Sequence, residues 1–315
     1  MSDYTPPVAE RANVVTYASR EEWLAHRHDG IGASEAAAIL GVNPYCSPFA
    51  LWSEKLGLVE PRAMSDAMTW GLKLEPLVAE HYAQETGRQV FAPAPWTVHV
   101  SGTRPWMRAT LDRLVRCETQ PGVHGVLELK TTNARLADQW DEEPPLPYVI
   151  QVQHQLAVTG YLWGSLAVLI GGQTFRWVDI PRNDEFIALL IAREAEFWRR
   201  LVERDPPDVD GSDSAREALA KLYPRERPDV DPVALPPEAD EWDAVRQQAI
   251  EEIAAAERRK ADAEARIKAL IGEAPAGLLP GGVRYTWKLQ AKKGYVVEPS
   301  SVRVLRRLSA KREAA

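Results

Sequence analysis

The sequence predicts an α/β fold, and three observations carry that prediction. Between residues 89 and 130, short runs alternate apolar and polar side chains (89–91, 97–100, 107–115 and 126–130), which is the two-residue period of strands. Two further runs, 165–170 and 174–180, are separated by the turn-forming pair Gly171-Gly172. Helical patterns stand on either side of this block. The last of them, 184–204, carries Phe186, Leu190, Phe197 and Leu201 as an apolar stripe that can cover a sheet.

Composition narrows the class. The chain has 315 residues, of which 45% are apolar and 26% charged, the balance of an ordinary globular protein long enough for one large or two modest domains. No run approaches the ~18 apolar residues of a membrane span. Residues 1–7 lack the basic-then-apolar order of a signal peptide, so no membrane and a cytoplasmic location are expected. Cys46 and Cys117 are the two cysteines and neither lies in a C-x-x-C, which leaves a disulfide framework or a cysteine-held metal unsupported. A net charge of −7 argues against coating nucleic acid by bulk charge. It is compatible with an enzyme that gathers basic side chains in one channel and carboxylates around metal.

Taken in order, residues 1–19 read as a flexible lead-in, and 20–28 as a helix with Trp23 and Arg27 one turn apart. Residues 30–41 then form a short capped helix stopped by Gly41. Here Ser34 is either an ordinary N-cap or, with Arg27 and the helix-start amides, part of an anion pocket suited to a terminal phosphate. Ser47-Pro48 opens a helix that Gly57 ends. The helical stretch from Met68 to the stop at Gly87 contains Pro76, which should kink or restart it. Glu75 at that break either turns inward or serves as a first-turn acid. Residues 133–147 are a polar, proline-rich loop on the substrate side. The helix over 148–159 puts Gln151 and Gln155 on one face, where they line a polar site or meet solvent. Residues 205–237 hold seven prolines and read as a linker, and 238–271 as an alanine- and charge-rich helical arm with coiled-coil character. The tail pairs 283–289 with 295–297 as a hairpin and ends in a short basic helix. From Arg284 to Arg312 it holds nine Lys or Arg against one acid, so it reads as a solvated tail or a DNA contact.

The chemistry is concentrated in residues 125–132. In a strand Glu128 and Lys130 point to one face while Leu127 and Leu129 pack behind. Upstream, 109–115 reads as one strand carrying Asp112. Carboxylates suit hard divalent cations, such ions activate water and neutralise charge at a phosphate, and an adjacent lysine stabilises the pentavalent state. An Asp followed by Glu-x-Lys therefore suits phosphodiester hydrolysis. The structural alternative is a cross-strand ion pair on a solvated sheet face.

With these pieces in place, residues 20–204 resemble the lambda exonuclease and YqaJ-type viral recombinase family of the PD-(D/E)xK nuclease superfamily. The motifs run in order: Trp23-x-x-x-Arg27, Gly32-Ala33-Ser34-Glu35, Trp70-Gly71 with Glu75, Leu111-Asp112, Leu127-Glu128-Leu129-Lys130 and Gln151-Val152-Gln153. The resemblance implies a restriction-endonuclease-like core: a central mixed sheet flanked by helices, followed by a helical arm and a small basic β/α tail. The domains would be a lead-in over 1–19, the nuclease over 20–204, a linker over 205–237 and an accessory region over 238–315. It implies a metal-dependent 5′→3′ exonuclease acting on double-stranded DNA ends. Mg²⁺, with Mn²⁺ as substitute, would be held by Asp112, Glu128 and the Leu129 carbonyl, and Glu75 would support a second ion. Lys130 and Gln151 would position water, and Arg27 and Ser34, with Thr110 beside them, would grip the 5′-phosphate. The implied partners are a single-strand annealing protein and further copies of the chain, three by resemblance. The rivals are an endonuclease or defence nuclease on the same core, and a non-catalytic DNA-binding protein. The related nucleases with a Q-x-x-x-Y motif have tyrosine where this chain has Gln155, and residues 205–315 fall outside the resemblance.

Overall fold

The structure is a computed structural model that describes residues 12–61, 63–116, 124–291, 294 and 303–307. The chain divides into two compact units, Met1–Pro224 and Arg225–Ala315.

The first unit opens with β1 (Asn13–Thr16), α1 (Arg20–Ala25), β2 (Ile31–Gly32), α2 (Ala36–Ile39), α3 (Pro48–Lys55) and α4 (Asp66–Thr86). Strands β3 (Val90–Phe91), β4 (Thr97–Val100), β5 (Met107–Ala109), β6 (Arg113–Arg116) and β7 (His124–Thr132) follow. Then come α5 (Leu146–Thr159), β8 (Trp163–Ile170), β9 (Thr174–Pro181), α6 (Asp184–Glu203) and α7 (Asp213–Leu222). A five-stranded sheet has the order β3-β6-β7-β8-β9, parallel only between β7 and β8. A four-stranded sheet has the order β1-β4-β5-β2, parallel only between β2 and β5.

The mixed α/β architecture with helical layers is thus as expected, and period-two alternation explains how the layers close. Leu127 and Leu129 of β7 join Val115 and Ala167 against Val78, Ala79 and Tyr82 of α4. The alternate residue Val126 joins Leu166, Val168 and Ile170 against Val152 and Leu156 of α5. Gly164 makes the second contact possible, since a Cβ there would lie 2.5 Å from Val126 Cγ2 and 2.8 Å from Val152 Cγ1. The sheet is therefore sandwiched, and β7 presents Glu128 to α5.

Several local expectations are corrected. The lead-in is in part a strand: β1 pairs with β4 from Asn13↔Val100 to Thr16↔Thr97, while residues 1–11 lie outside the described residues. Helix α4 runs unbroken through Pro76. Proline removes one backbone bond, to the carbonyl of Leu72, and Leu72 is exposed, so solvent can satisfy it. The helix is held beyond that point by buried Val78, Ala79 and Tyr82. The single strand expected over 109–115 is two strands in different sheets, because the chain crosses between sheets at 110–112. The expected linker from 205 differs as well, since α7 buries Ala215 and Ala218 against Phe49 of α3.

In the second unit α8 (Glu238–Ile271) is followed by a hairpin of β10 (Ala276–Leu278) and β11 (Arg284–Thr286). Gly282, at φ +84°, turns the chain between them, so the partner of 284–286 lies upstream. The 295–297 segment and the terminal basic helix lie outside the described residues, apart from 303–307, where Arg307 pairs with Asp243 at 2.9 Å.

One buried ion pair ties α5 to α6. His154 donates through Nδ1 to Glu194 Oε1 at 2.7 Å and through Nε2 to the Arg108 carbonyl at 3.0 Å, and both side chains are fully buried. Burial alone would pull the imidazole pKa down, but the Glu194 carboxylate outweighs it and raises the pKa. Folded His154 therefore keeps its proton where the unfolded chain has lost it. Stability from this pair is complete below the ordinary histidine value of about 6.5 and is lost as pH rises through the raised folded value. Melting temperature measured from pH 5.5 to 9 should fall on the alkaline side, with a shallower fall in Glu194→Gln. An identical slope in that variant would remove His154 as the cause.

Candidate active site

The site is assembled where β7, α5 and the crossing at 110–112 meet. Glu128 is 2% exposed in the middle of β7. A carboxylate so placed needs donors on every face. Lys130, two residues on and on the same side of the strand, donates to Glu128 Oε1 at 2.5 Å. Gln151 Nε2 donates to the same oxygen at 2.7 Å, and Gln155 Nε2 donates to Oε2 at 2.6 Å. Lys130 also donates to Gln151 Oε1 at 3.1 Å and lies 5.0 Å from the Tyr148 ring centroid. Tyr148 stacks on buried Trp140, which braces this end of α5. Residues 148, 151 and 155 share one helical face, so one helix supplies ring and amides together.

Asp112 reaches β7 differently. Pairing of β6 with β7 begins at Arg113↔Leu127, so the Leu129 amide lies beyond the end of β6. Asp112 Oδ2 takes that amide at 2.8 Å in place of a strand carbonyl. In a strand a residue's N–H and C=O face the same edge, so the Leu129 carbonyl also faces the Asp112 side. Burial, followed by repulsion from Glu128 and also from Glu75, pushes the Asp112 carboxyl well above the usual range, against the opposing pull of Lys130 and the Leu129 amide. Burial works to lower the Lys130 pKa, but Glu128 and Asp112 outweigh it and raise it. The centre therefore holds two close carboxylates and one ammonium. Asp112, Glu128 and the Leu129 carbonyl are all oxygen donors, a set that suits a hard divalent cation.

Glu75 does not join that set. It comes from α4, on the opposite face of the sheet from α5, and Arg113 Nη1 stands between, 2.5 Å from Glu75 Oε1 and 2.5 Å from the Asp112 carbonyl. No three acidic, histidine or cysteine side chains converge as a metal-holding group among the described residues.

Arg27 and Ser34 fall on the neighbouring segment. Ser34 lies within the first turn and is exposed, and Gly32 occupies the N-cap position. The Gly32 amide donates to Glu35 Oε2 at 2.8 Å, so the N-cap reading of Ser34 is corrected. Glu35 also pairs with Lys55 at 2.8 Å, and Lys55 donates to the carbonyls of Arg27 and Gly30. The Arg27 guanidinium lies over the Trp23 ring at 5.8 Å and 3.6 Å from Glu35, with its side chain 46% exposed. Parallel pairing of β2 with β5, Gly32 opposite Arg108, puts the Ser34 turn and exposed Thr110 after the same end of that strand pair.

The sequence reading put Gln155 on the Gln151 face without giving it a role at the site, and it missed Arg113, Tyr148 and the Glu35–Lys55 pair. Of its two alternatives for the glutamine face, the structure gives the polar site.

Known proteins share the part of the chain that builds this site. Residues 22–162 match the YqaJ-like viral recombinase domain. The YqaJ protein of Bacillus subtilis (strain 168) is 39% identical over 210 residues, 65% of this chain and 64% of that protein. The chain thus spans less than two thirds of that relative. The alkaline exonuclease LHK-Exo of Laribacter hongkongensis superimposes with a TM-score of 0.49 at 23% identity, covering 64% of this chain and all of that one. Its complex with dAMP gives the same TM-score at 24% identity. The site residues named above, from Trp23 to Gln155, all lie within the matched residues 22–162.

Gln155 supplies the closest contact to Glu128 Oε2, and it is 1% exposed where Gln151 is only half-buried. Removing a buried donor strands its acceptor at about 1–3 kcal/mol. In urea unfolding, Gln155→Leu should therefore cost more stability than Gln151→Leu. Equal or reversed costs would show that Gln155 does not carry the Glu128 charge.

Proposed function

We propose that the YqaJ-like domain is a metal-dependent deoxyribonuclease that digests linear duplex DNA from its 5′ ends. The observation that carries this reading is the convergence of Asp112, Glu128 and Lys130 around the Leu129 peptide, with Gln151 bonded to both Glu128 and Lys130.

Asp112, Glu128 and the Leu129 carbonyl would hold Mg²⁺, or Mn²⁺ in its place. Bound there, such an ion would supply Lewis-acid stabilisation of a phosphate and activation of water. The rest follows from the side chains. Gln151 and Gln155 fix the Glu128 carboxylate so that its orientation does not relax when charge develops nearby. Lys130, steadied over the Tyr148 ring, places a positive charge beside the two carboxylates and opposes charge building on phosphate oxygens. Arg113 holds Glu75 at the margin, where it can orient solvent. Arg27, whose guanidinium lies over the Trp23 ring and 3.6 Å from the Glu35 carboxylate, with exposed Ser34 and Thr110, would take the terminal 5′-phosphate. Single strands left by such digestion are what an annealing protein consumes, which is the class of partner this reaction serves.

The test uses three duplexes: linear with 5′-phosphate, linear with 5′-hydroxyl and covalently closed. With Mg²⁺ the first should be digested fastest and the last not at all, with no digestion in EDTA. Asp112→Ala and Glu128→Ala should be inactive, and Lys130→Ala slowed ~10²-fold with DNA binding kept. Cutting of closed circles would replace the exonuclease reading with an endonuclease one. Activity in EDTA would remove the metal site altogether.

A further inference from the structure

The long helix of the second unit carries a surface that the nuclease reading does not use. None of the 34 residues of α8 is buried among the described residues. A helix of that length spans about 50 Å. In water such a helix is stabilised chiefly by packing an apolar face.

α8 has that face. Trp242, Val245, Ile253, Ile267 and Leu270 fall within about 100° of arc on a 3.6-residue helix, the width of a packing stripe. Trp242 is 66% exposed, Val245 67%, Ile253 58% and Leu270 89%. Ala249, Ala256 and Ala263 fill the same stripe between them, small enough to let a second helix approach closely. Two charges fall inside it, Lys260 and, at the helix start, Glu238. Asp243, which holds Arg307, lies well round the helix from the stripe and leaves it open.

The charges beside the stripe identify what covers it. One edge carries Glu241 and Glu252 in the N-terminal half, then Arg259 and Arg266 in the C-terminal half. The other edge carries Arg246 early and Glu264 late. In an antiparallel pair each edge meets the same edge of the other helix, reversed. Glu241 then faces the partner's Arg266, Glu252 the partner's Arg259, and Arg246 the partner's Glu264. These three pairings share one centre to within about a residue, between Ala254 and Ala255, which is also the midpoint of Glu238–Ile271. The same register sets Trp242 against the partner's Ile267 and Ile253 against the partner's Ala256. A parallel pair would set Glu241 beside the partner's Arg246 and Arg259 beside the partner's Glu264, but it would also put Glu252 beside the partner's Glu257, like charge against like, a clash that the antiparallel register avoids.

We infer that α8 forms an antiparallel coiled coil with α8 of a second copy of this chain, overlapping along its whole length. The contact is a two-fold, self-complementary one that joins copies in pairs, so assemblies built through it contain an even number of copies, and a three-copy ring held by other surfaces would be doubled to six. Opposed helix dipoles favour the same direction.

Light scattering of the full-length protein after size-exclusion chromatography tests this. The parent should elute as a dimer or an even multiple of one. Ile253→Asp should halve the mass at concentrations where the parent stays associated. Glu252→Arg, a surface change that leaves the fold untouched, should weaken association, and adding Arg259→Glu in the same chain should restore it. A monomeric parent at every concentration or an odd-numbered assembly would overturn the proposal. So would an assembly indifferent to Ile253→Asp, or a double reversal that fails to restore association.

Discussion

The structure of the site follows from one constraint, the burial of a carboxylate in the middle of a strand. Glu128 occupies a position on β7 whose neighbours two residues either way, Val126 and Lys130, share its face toward α5. An ionised group there must be surrounded by donors, since leaving it bare would cost more than any single packing contact returns. The surrounding residues meet that need: an ammonium from its own strand and two amides from one face of α5. Each also fixes something else, because the helix must lie close enough to reach. Gly164 and the Val126–Val152 contact permit that approach, and the buried His154–Glu194 pair fastens the far side of the helix to α6.

The second carboxylate arrives by a different route. The chain leaves the four-stranded sheet after β5 and enters the five-stranded sheet at β6, and Asp112 sits at the crossing. Its carboxylate stands in for the strand carbonyl that the Leu129 amide would otherwise meet. Two negative groups thus face one peptide from different elements. Their mutual repulsion is what a bound cation would relieve, and Lys130 offsets part of it.

Much of this was legible in the sequence, and where it was not the reasons are physical. Alternation in 125–132 fixed which face Glu128 and Lys130 share, and Gly41, Gly57 and Gly87 marked helix ends with positive φ. The break between β5 and β6 was invisible, because Ala109 to Val115 alternates as well as any single strand and the change of sheet leaves no mark in period. Pro76 looked like a break because local propensity was weighed without the sheet that α4 packs on. Gln155 looked like a departure from a related motif, yet an amide N–H serves the Glu128 oxygen there as a donor. The salt bridge from Arg113 to Glu75 depends on two elements 38 residues apart, which no local pattern encodes.

The central claim is that Asp112 and Glu128 together form one cation site on the Leu129 peptide. Calorimetric titration of the DNA-free protein with Mn²⁺ tests it without relying on catalysis. The account predicts binding that is lost in Asp112→Asn and in Glu128→Gln alike, and largely kept in Glu75→Gln. Binding that survives both of the first two substitutions, or that vanishes only with Glu75, would contradict it.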